Sequence, residues 1–425
     1  MGHKVGIIGL GYVGLPLAFT FLQRGYSVIG VDLDESKIRA LSNGQSYLPD
    51  ISDETLFSYV VQKQLIVTAD YASLSEVEAV IICVPTPLTP LHTPDLSYLV
   101  QVGSALSKHL KQDQLIVLES STYPGTTREV LQPLLEKSGL KIGIDYYLAY
   151  SPERIDPGRS DYTLETIPKI ISGITNRCAD KVFGLYSTVF AEVVLVSSPE
   201  AAEMAKLLEN SYRFVNISFI NEFAMLCDKM KIDVWEVIDA AKTKPYGFKA
   251  FYPGPGIGGH CIPVDPLYLQ WSANLLGSNS KFIDYAHSIN ISMPNYIVGR
   301  IKASMGVSAL VGMTILVIGV SYKRNINDTR ESSALSLMKI VIQEGAHLSY
   351  SDPLVPEVTV NGETLMSLEL NEQNLSEADC VVIVTDHSEL PIQLILDHSK
   401  LVYDTRNITH GLSGKARIIR LGTGI

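Results

Sequence analysis

The first 120 residues alternate short apolar runs with longer stretches in which apolar residues recur at helical spacing. Each apolar run predicts a buried parallel strand, and we expect these strands at 4–8, 27–31, 79–84 and 114–118. The intervening stretches predict helices over 15–24, 35–41 and 96–110. Two further strand signals follow at 169–172 and 192–195. This alternation is typical of a doubly wound α/β domain.

A different pattern begins at Ser198. Residues 199–230 have apolar positions at helical spacing and no Gly or Pro after Pro199, which predicts one long helix. Helical stretches to about 241 and over 284–304 flank a Pro- and Gly-rich loop at 244–266. A second α/β pattern follows, with a helix expected at 332–344 and strands at 313–320, 347–351, 378–384 and 400–404.

The chain is therefore expected to be an α/β protein with two Rossmann-like doubly wound domains, joined by a helical middle domain that contains the long helix. We place the boundaries at 1–198, 199–305 and 306–425. The middle segment lies between the two α/β domains, so we expect it to form the interface of a homodimer or a higher homo-oligomer.

Composition narrows the class of protein. The 425 residues are 46% hydrophobic and 19% charged, which excludes disorder, collagen and a coiled coil. The net charge of −11, without basic clusters, argues against binding to nucleic acid or to an anionic membrane. No apolar run is long enough to span a bilayer, and we expect no signal peptide because a strand-like run follows directly after residue 4. The 5 scattered cysteines lack metal-ligand spacing, so we expect no metal site and a cytoplasmic location.

A glycine-rich turn matching G-x-G-x-x-G follows the first predicted strand and opens the first predicted helix. The acid at the end of the next strand, Asp32, can bind an adenosine ribose and would repel a 2′-phosphate, so NAD is favoured over NADP. Arg24 and Arg39 are cations that would weaken this preference. A glycine turn without a ligand remains the alternative. The candidate cofactor contacts here are Gly9, Gly11, Tyr12, Val13, Gly14 and Asp32.

The ends of the next two strands carry polar side chains. Because ligands lie beyond the carboxyl ends of strands in open α/β sheets, Pro85, Thr86 and Thr122 are candidates to touch the cofactor or a reacting group. Turn formation and helix capping explain the same residues equally well. We interpret Cys83 as a small buried apolar residue rather than a reactive thiol.

The most informative segment is the thiol loop, residues 251–265, in which four glycines come shortly before Cys261. Glycines allow the backbone to approach a ligand closely, and one helical turn would bring Asp265 near the sulfur. An inert buried cysteine or a metal site are the alternatives. Combined with an NAD site, the loop suggests oxidation at the aldehyde level through a thiohemiacetal and a thioester. This chemistry needs an oxyanion donor and a base, for which the available residues are Lys206, Asn210, Glu153 and Asp265.

Seen together, these motifs resemble the UDP-glucose/GDP-mannose dehydrogenase family, whose UDP-sugar 6-dehydrogenases oxidise the C6 alcohol of a UDP-hexose to a carboxylate with two NAD. The resemblance covers essentially the whole chain. The motifs that carry it are, in order, Gly9 to Gly14 with Asp32, residues 83–87, Ser121-Thr122, residues 151–154, residues 203–210, residues 258–261 with Asp265, and Tyr322-Lys323 with Asp328 and Arg330.

The resemblance implies a catalytic role for each matching position. Cys261 would capture the aldehyde and carry the thioester, and Lys206 would stabilise oxyanions with Asn210 as its hydrogen-bonding neighbour. Asp265 would act with Lys206 and a water, and Glu153 would act through water in thioester hydrolysis. Thr122 would lie at the reacting centre.

The resemblance also implies binding residues. The alternative for Lys206 is that it is a solvated surface charge, as a lysine on a long helix commonly is. In that case it would pair with Glu203 or Glu209 on the same helix. Arg330 would contact NAD; the alternative is a surface ion pair with Asp328 or Glu331. The implied substrate contacts are Glu153, Arg154, Lys206, Asn210, Phe251, Tyr252, Gly254, Gly258 and Lys323.

Residues 151–154 with 156–158, and residues 252–256, differ from the pattern of UDP-glucose enzymes and resemble that of enzymes acting on N-acetylated UDP-hexoses. We therefore expect UDP-N-acetylglucosamine as the substrate, with UDP-N-acetylmannosamine second and UDP-glucose third. A single-step dehydrogenase of small hydroxy acids would release one NADH per substrate instead of two. A catalytically silent nucleotide-sugar sensor would release none.

Overall fold

The computed structural model describes residues 3–48, 50–154 and 162–424. Its strands are β1 (Lys4–Ile8), β2 (Ser27–Val31), β3 (Leu65–Thr68), β4 (Ala79–Ile82), β5 (Gln114–Leu118), β6 (Tyr146–Tyr150), β7 (Lys169–Gly173), β8 (Val193–Leu195), β9 (Thr314–Ile318), β10 (His347–Ser351), β11 (Glu357–Val360), β12 (Glu363–Met366), β13 (Cys380–Ile383), β14 (Leu401–Asp404) and β15 (Arg417–Arg420). Its helices are α1 (Gly14–Gln23), α2 (Glu35–Ser42), α3 (Asp53–Val61), α4 (Ser97–Leu106), α5 (Gln132–Leu135), α6 (Asn176–Tyr186), α7 (Pro199–Met230), α8 (Val234–Ala241), α9 (Asp265–Leu275), α10 (Lys281–Met305), α11 (Ser333–Gln343), α12 (Glu372–Glu377) and α13 (Ile392–His398).

The first sheet has 8 strands in the order β3-β2-β1-β4-β5-β6-β7-β8. Its strands pair in parallel except where β7 runs antiparallel to β6. Both faces of the sheet are covered, which is why β1, β4 and β5 are nearly continuous apolar runs. This confirms the doubly wound sheet that the alternating pattern predicts.

Several predicted elements are shorter in the structure, among them the strands expected at 313–320 and 378–384, and two near the glycine turn and in the first domain have a clear cause. The strand expected at 79–84 ends at Ile82, because the residues after it turn away beneath the glycine turn, where Cys83 meets Gly9 and Gly14. The helix expected at 96–110 ends at Leu106, since tighter turns follow, with the N–H of His109 bonded to the carbonyl of Leu106.

The second sheet has 5 parallel strands in the order β10-β9-β13-β14-β15. It confirms the second α/β pattern of the sequence. A hairpin, β11–β12, is an addition that we did not predict. Asn361 and Gly362 both have positive φ at its two-residue turn, as a type I′ turn requires.

Close packing divides the chain into two compact units. One consists of 1–209 with 267–278, and the other of 210–266 with 279–425. The long helix α7 has the predicted bounds and supplies residues to both units. The three domain boundaries expected from the sequence stay a prediction.

Within the described ranges, 3–48, 50–154 and 162–424, no helix has both the length and the apolar character needed to cross a membrane.

Candidate active site

The glycine turn between β1 and α1 needs its glycines for two different reasons. Gly9 has a φ of 87°, and a Cβ there would lie 2.6 Å from the carbonyl oxygen of Cys83. A Cβ at Gly14 would overlap the carbonyl oxygen of Gly9. At Gly11 a Cβ would have no described neighbour within 4 Å, and its φ is not in the left-handed region. Packing thus explains Gly9 and Gly14, whereas the approach of a ligand to the helix N-terminus explains Gly11.

We expect alanine at Gly11 to affect NAD binding and alanine at Gly14 to affect folding stability. Gly11→Ala should keep the melting temperature but weaken NAD binding, because its Cβ would hold the pyrophosphate away from the backbone. The loss of one phosphate hydrogen bond, about 1.5–3 kcal/mol, raises the Kd for NAD roughly tenfold to 100-fold. Gly14→Ala should lower the free energy of unfolding by about 1–3 kcal/mol or more, because the overlap must be relieved. Thermal unfolding without NAD and an NAD titration separate the two. Native affinity in Gly11→Ala would contradict this interpretation.

The predicted ribose acid also holds the glycine turn in place. The carboxylate of Asp32 accepts hydrogen bonds from the N–H of Leu10 at 2.8 Å and of Asp34 at 2.9 Å. Arg24 lies 3.5 Å from Glu165, and Arg39 donates to its own helix. The cation near the acid is Lys37, 3.7 Å away, which the sequence analysis did not consider.

The two strand-end threonines differ. The Thr86 hydroxyl donates to the carbonyl of Ser121 at 2.6 Å, so it ties two strand-end loops together. The Thr122 hydroxyl is buried and has no hydrogen-bond partner among the described residues. Pro85 is exposed. Burial raises the pKa of the Cys83 thiol well above its ordinary value, which fits the interpretation of an unreactive cysteine. Of these residues, Thr122 is the one whose hydroxyl needs an outside partner.

Lys206 is a buried cation, only 6% exposed, and its Nζ donates to the carbonyl of Glu153. The alternative of a solvated surface lysine is therefore wrong. Glu203 instead accepts hydrogen bonds from the N–H groups of Gly125 and Thr127, at 2.6 and 2.9 Å. Glu209 binds the guanidinium of Arg154. Neither glutamate pairs with Lys206, because each has a partner on another loop.

The predicted hydrolytic glutamate lies beside charged residues that we did not predict. The Glu153 carboxylate is 3.8 Å from Nζ of Lys169. Lys169 also contacts Glu119 at 2.7 Å, and Glu119 accepts a hydrogen bond from the hydroxyl of Tyr186. Lys169 opens an apolar strand, and nothing in the residues around it indicates a functional position. Arg154, predicted to bind substrate, also donates to the carbonyl of Pro168 at 2.7 Å.

Asn210 and Asp265 form a second buried group. The Asn210 amide donates to the Asp265 carboxylate at 2.6 Å. Asp265 is the first residue of α9, and its N–H donates to the carbonyl of Cys261 at 2.8 Å. Cys261 is a partly exposed thiol one turn before this helix. The positive end of the helix dipole there favours the thiolate.

The glycines of the thiol loop mainly accommodate neighbouring protein, not a ligand as we expected from the sequence. A Cβ at Gly258 would lie 2.7 Å from the carbonyl oxygen of Glu331, and one at Gly259 would lie 2.8 Å from the ring of Tyr322. The N–H of Gly259 donates to the carbonyl of Arg330 at 3.0 Å. This close packing fixes the backbone just before Cys261.

The side chain of His260, next to Cys261, is neutral. Burial lowers the pKa of His260, and the charge of Arg330 lowers it further. Arg330 itself binds Asp328 through three contacts of 2.6 to 3.0 Å, as the alternative interpretation proposed.

The remaining predicted substrate contacts belong to the same compact unit as the thiol loop. Phe251 packs edge-on against Tyr212, and Tyr252 stacks on Trp235. The N–H of Gly254 donates to Asn221 at 2.8 Å. Lys323 is partly buried in the loop after β9. Their contacts with a substrate stay predictions, and the 156–158 motif lies outside the described residues.

Three family models match the chain in order. They are the NAD binding domain of the UDP-glucose/GDP-mannose dehydrogenase family over residues 3–190, its central domain over 200–292, and its UDP binding domain over 316–411.

The chain is 34% identical to UDP-N-acetyl-D-mannosamine dehydrogenase of Methanococcus maripaludis, across 97% of this chain and 95% of that protein. Its structure resembles that of UDP-D-ManNAc dehydrogenase from Pyrococcus horikoshii, with a TM-score of 0.89, 32% identity and 99% of both chains covered. It also resembles a UDP-glucose dehydrogenase from Pyrobaculum islandicum, with a TM-score of 0.89, 25% identity and coverage of 100% and 98%. The chain therefore belongs to the UDP-glucose/GDP-mannose dehydrogenase family and is an NAD-dependent oxidoreductase of UDP-sugars.

Proposed function

We propose that this chain oxidises UDP-N-acetyl-D-mannosamine at C6 to the uronate, in a four-electron reaction that passes through a thioester on Cys261. The observation that carries the chemistry is the partly exposed Cys261 thiol at the N-terminus of α9, one turn before an Asp265 carboxylate bound to Asn210. The sequence motifs alone favour N-acetylglucosamine as the sugar. Relatives named for N-acetylmannosamine, at 34% and 32% identity over nearly the whole chain, support that sugar, the second choice from the motifs, instead.

The turn from Gly9 to Gly14 fits the NAD that the family requires. The open space at Gly11 suits the approach of a pyrophosphate, and Asp32 suits the ribose. When bound, NAD accepts one hydride in each of the two oxidations. We assign further contacts to Pro85, Thr86, Thr122 and Arg330, as the resemblance implies.

Each proposed catalytic residue has one task. A water assisted by Asp265 takes the proton of the C6 hydroxyl as the alcohol becomes an aldehyde. The Cys261 sulfur adds to the aldehyde carbon, and loss of the second hydride leaves a thioester. The ammonium of Lys206, held by the Glu153 carbonyl, stabilises the oxyanions, and Asn210 lies one turn further along the same helix. A water directed by the Glu153 carboxylate then attacks the thioester, and the sulfur leaves as thiolate.

Exposed apolar side chains on the long helix α7 support the homo-oligomer expected from the sequence. Several apolar side chains of α7 are exposed in the single chain, including Leu208, Phe219 and Met230. Exposed apolar residues in such number on one helix are typical of an interface. We therefore propose that the chain forms a homodimer or a higher homo-oligomer through its helical middle segment.

The substrate is tested by counting NADH per sugar consumed. We expect two NADH and one uronate from UDP-N-acetylmannosamine, and much slower reaction with UDP-N-acetylglucosamine and UDP-glucose. Mixing the purified protein with each sugar separately, at equal concentration, makes the comparison direct. Two NADH from another sugar would keep the mechanism and overturn the assigned substrate. One NADH per sugar would overturn the thioester route, and none from any sugar would favour a silent sensor.

A further inference from the structure

Four buried side chains form a connected polar cluster at the carboxyl ends of β5 and β6. Nζ of Lys169 lies 2.7 Å from Glu119 and 3.8 Å from Glu153. The Tyr186 hydroxyl donates to the other oxygen of Glu119. Lys169 is 3% exposed and Glu119 is 1% exposed. Both members of the tight ion pair are thus shielded from water, and the proposed hydrolytic group, Glu153, is also buried, at 6% exposed.

The reversal of strand direction after β6 puts Lys169 in this place. In the antiparallel pairing of β6 with β7, Tyr150 lies opposite Ser172. The same register continues past the end of β6, where the Ser151 hydroxyl donates to the Ile170 carbonyl at 2.8 Å. It also places Arg154 against Pro168. Extending the β6–β7 register by three residues would pair Glu153 with Lys169, in agreement with the 3.8 Å between their side chains.

The two contacts of Lys169 differ in length, and the difference assigns them different roles. The 2.7 Å contact with Glu119 is a charge-assisted hydrogen bond, which fixes the ammonium. The rings of Tyr186 and Phe190 pack around it at 5.8 and 5.3 Å. The 3.8 Å contact with Glu153 is too long for a hydrogen bond. It holds the Glu153 carboxylate electrostatically.

The charges of the cluster favour the ammonium form of Lys169. Burial alone would lower the pKa of Lys169, but Glu119 and Glu153 together raise it above its ordinary value. Lys169 therefore stays protonated throughout the neutral range. A buried ion pair is a poor source of stability, since apolar residues of similar volume often replace one without loss. The Lys169–Glu119 ion pair is therefore better explained by the contact of Lys169 with Glu153 than by a contribution to stability.

We propose that Lys169 is a positioning residue for thioester hydrolysis, because its ammonium, fixed by Glu119 and Tyr186, orients the Glu153 carboxylate. This inference rests on the proposed function. In the step concerned, a water oxygen bonds to the thioester carbon while one water proton passes to Glu153. The carbon–sulfur bond then breaks, and its electron pair leaves with the Cys261 thiolate. Lys169 keeps its protons throughout.

Lys169→Met removes the ammonium and keeps much of the side chain's length. We expect the first turnover to release two NADH at the native rate. Steady-state turnover should then fall by roughly tenfold to 100-fold, as misplacement of a catalytic group does. The Cys261 thioester should accumulate, and the mass of the acid-quenched protein should report it. Lys169→Arg, which keeps the charge, should restore most of the turnover.

Two further variants separate the possible failures. Glu153→Gln should trap the same thioester, because it removes the carboxylate itself. If Glu153→Gln neither slows hydrolysis nor traps the adduct, the proposed role of Glu153 fails. If Glu153→Gln traps the adduct and Lys169→Met hydrolyses it at the native rate, only the inference about Lys169 fails.

A milder variant covers the case in which Lys169→Met does not fold. Tyr186→Phe removes one hydroxyl and leaves every charge in place. Melting temperature reports folding, and the quenched mass reports the thioester. Accumulation of the adduct in a folded Tyr186→Phe protein supports the positioning role, and hydrolysis at the native rate overturns it.

Discussion

Replacing Cys261 with alanine is expected to reduce uronate formation by roughly 10³-fold or more, which is typical of losing a covalent nucleophile. Without the sulfur the aldehyde has no group to bind to, so it is not carried to the thioester. The fold should survive, because Cys261 is only partly buried and the glycines before it provide the packing of the loop. Liquid chromatography of the sugar products, with NADH counted in parallel, measures the effect.

A buried cysteine provides the matched control. Cys227 lies in an apolar cluster with Ile220 and Trp235, so Cys227→Ala removes a thiol that has only a packing role. It should form uronate at nearly the native rate. Free uronate produced at that rate by Cys261→Ala would contradict the covalent route, whatever the sugar.

Lys206→Met is expected to lower kcat by about 10²- to 10³-fold, the usual effect of removing one donor from an oxyanion site. Both NADH-forming steps should slow, because the ammonium stabilises negative charge on the C6 oxygen in each of them. This separates the variant from Lys169→Met, in which only hydrolysis slows. Rapid-mixing absorbance of NADH resolves the two oxidation steps.

The same helix offers a control for Lys206. Lys229 lies near the end of α7 and is exposed, so Lys229→Met makes the same chemical change where no buried contact is lost. Methionine and lysine have similar helix propensities, so the helix itself should be unaffected. An equal loss of kcat in both variants would mean that Lys206 acts only through protein stability.

Much of the fold follows from local patterns, because buried parallel strands are apolar over their whole length. The bounds of β1, β2 and β5 and of α7 agree with the sequence analysis for this reason. The glycine turn can also be predicted from the sequence, since strand, turn, helix and acid occur in order along the chain.

The rest of the site depends on contacts between distant residues. Lys169 and Glu153 meet because β7 reverses direction, and nothing local to either residue records that reversal. The partner of Lys206 proved to be the backbone of Glu153, 53 residues away in sequence, instead of a glutamate on its own helix. Helical spacing suggested the wrong pairs, because Glu203 and Glu209 are used to hold other loops.

The packing of Gly258 and Gly259 against Tyr322 and the 330–331 backbone has a consequence for how this protein can change. The thiol loop and the loop after β9 are complementary surfaces, with no space for an extra methyl group at Gly258 or Gly259. A substitution in one that alters its shape needs a compensating substitution in the other. A chimera that takes residues 321–331 from a relative should therefore inherit a correctly presented sulfur only if it also takes that relative's 251–265.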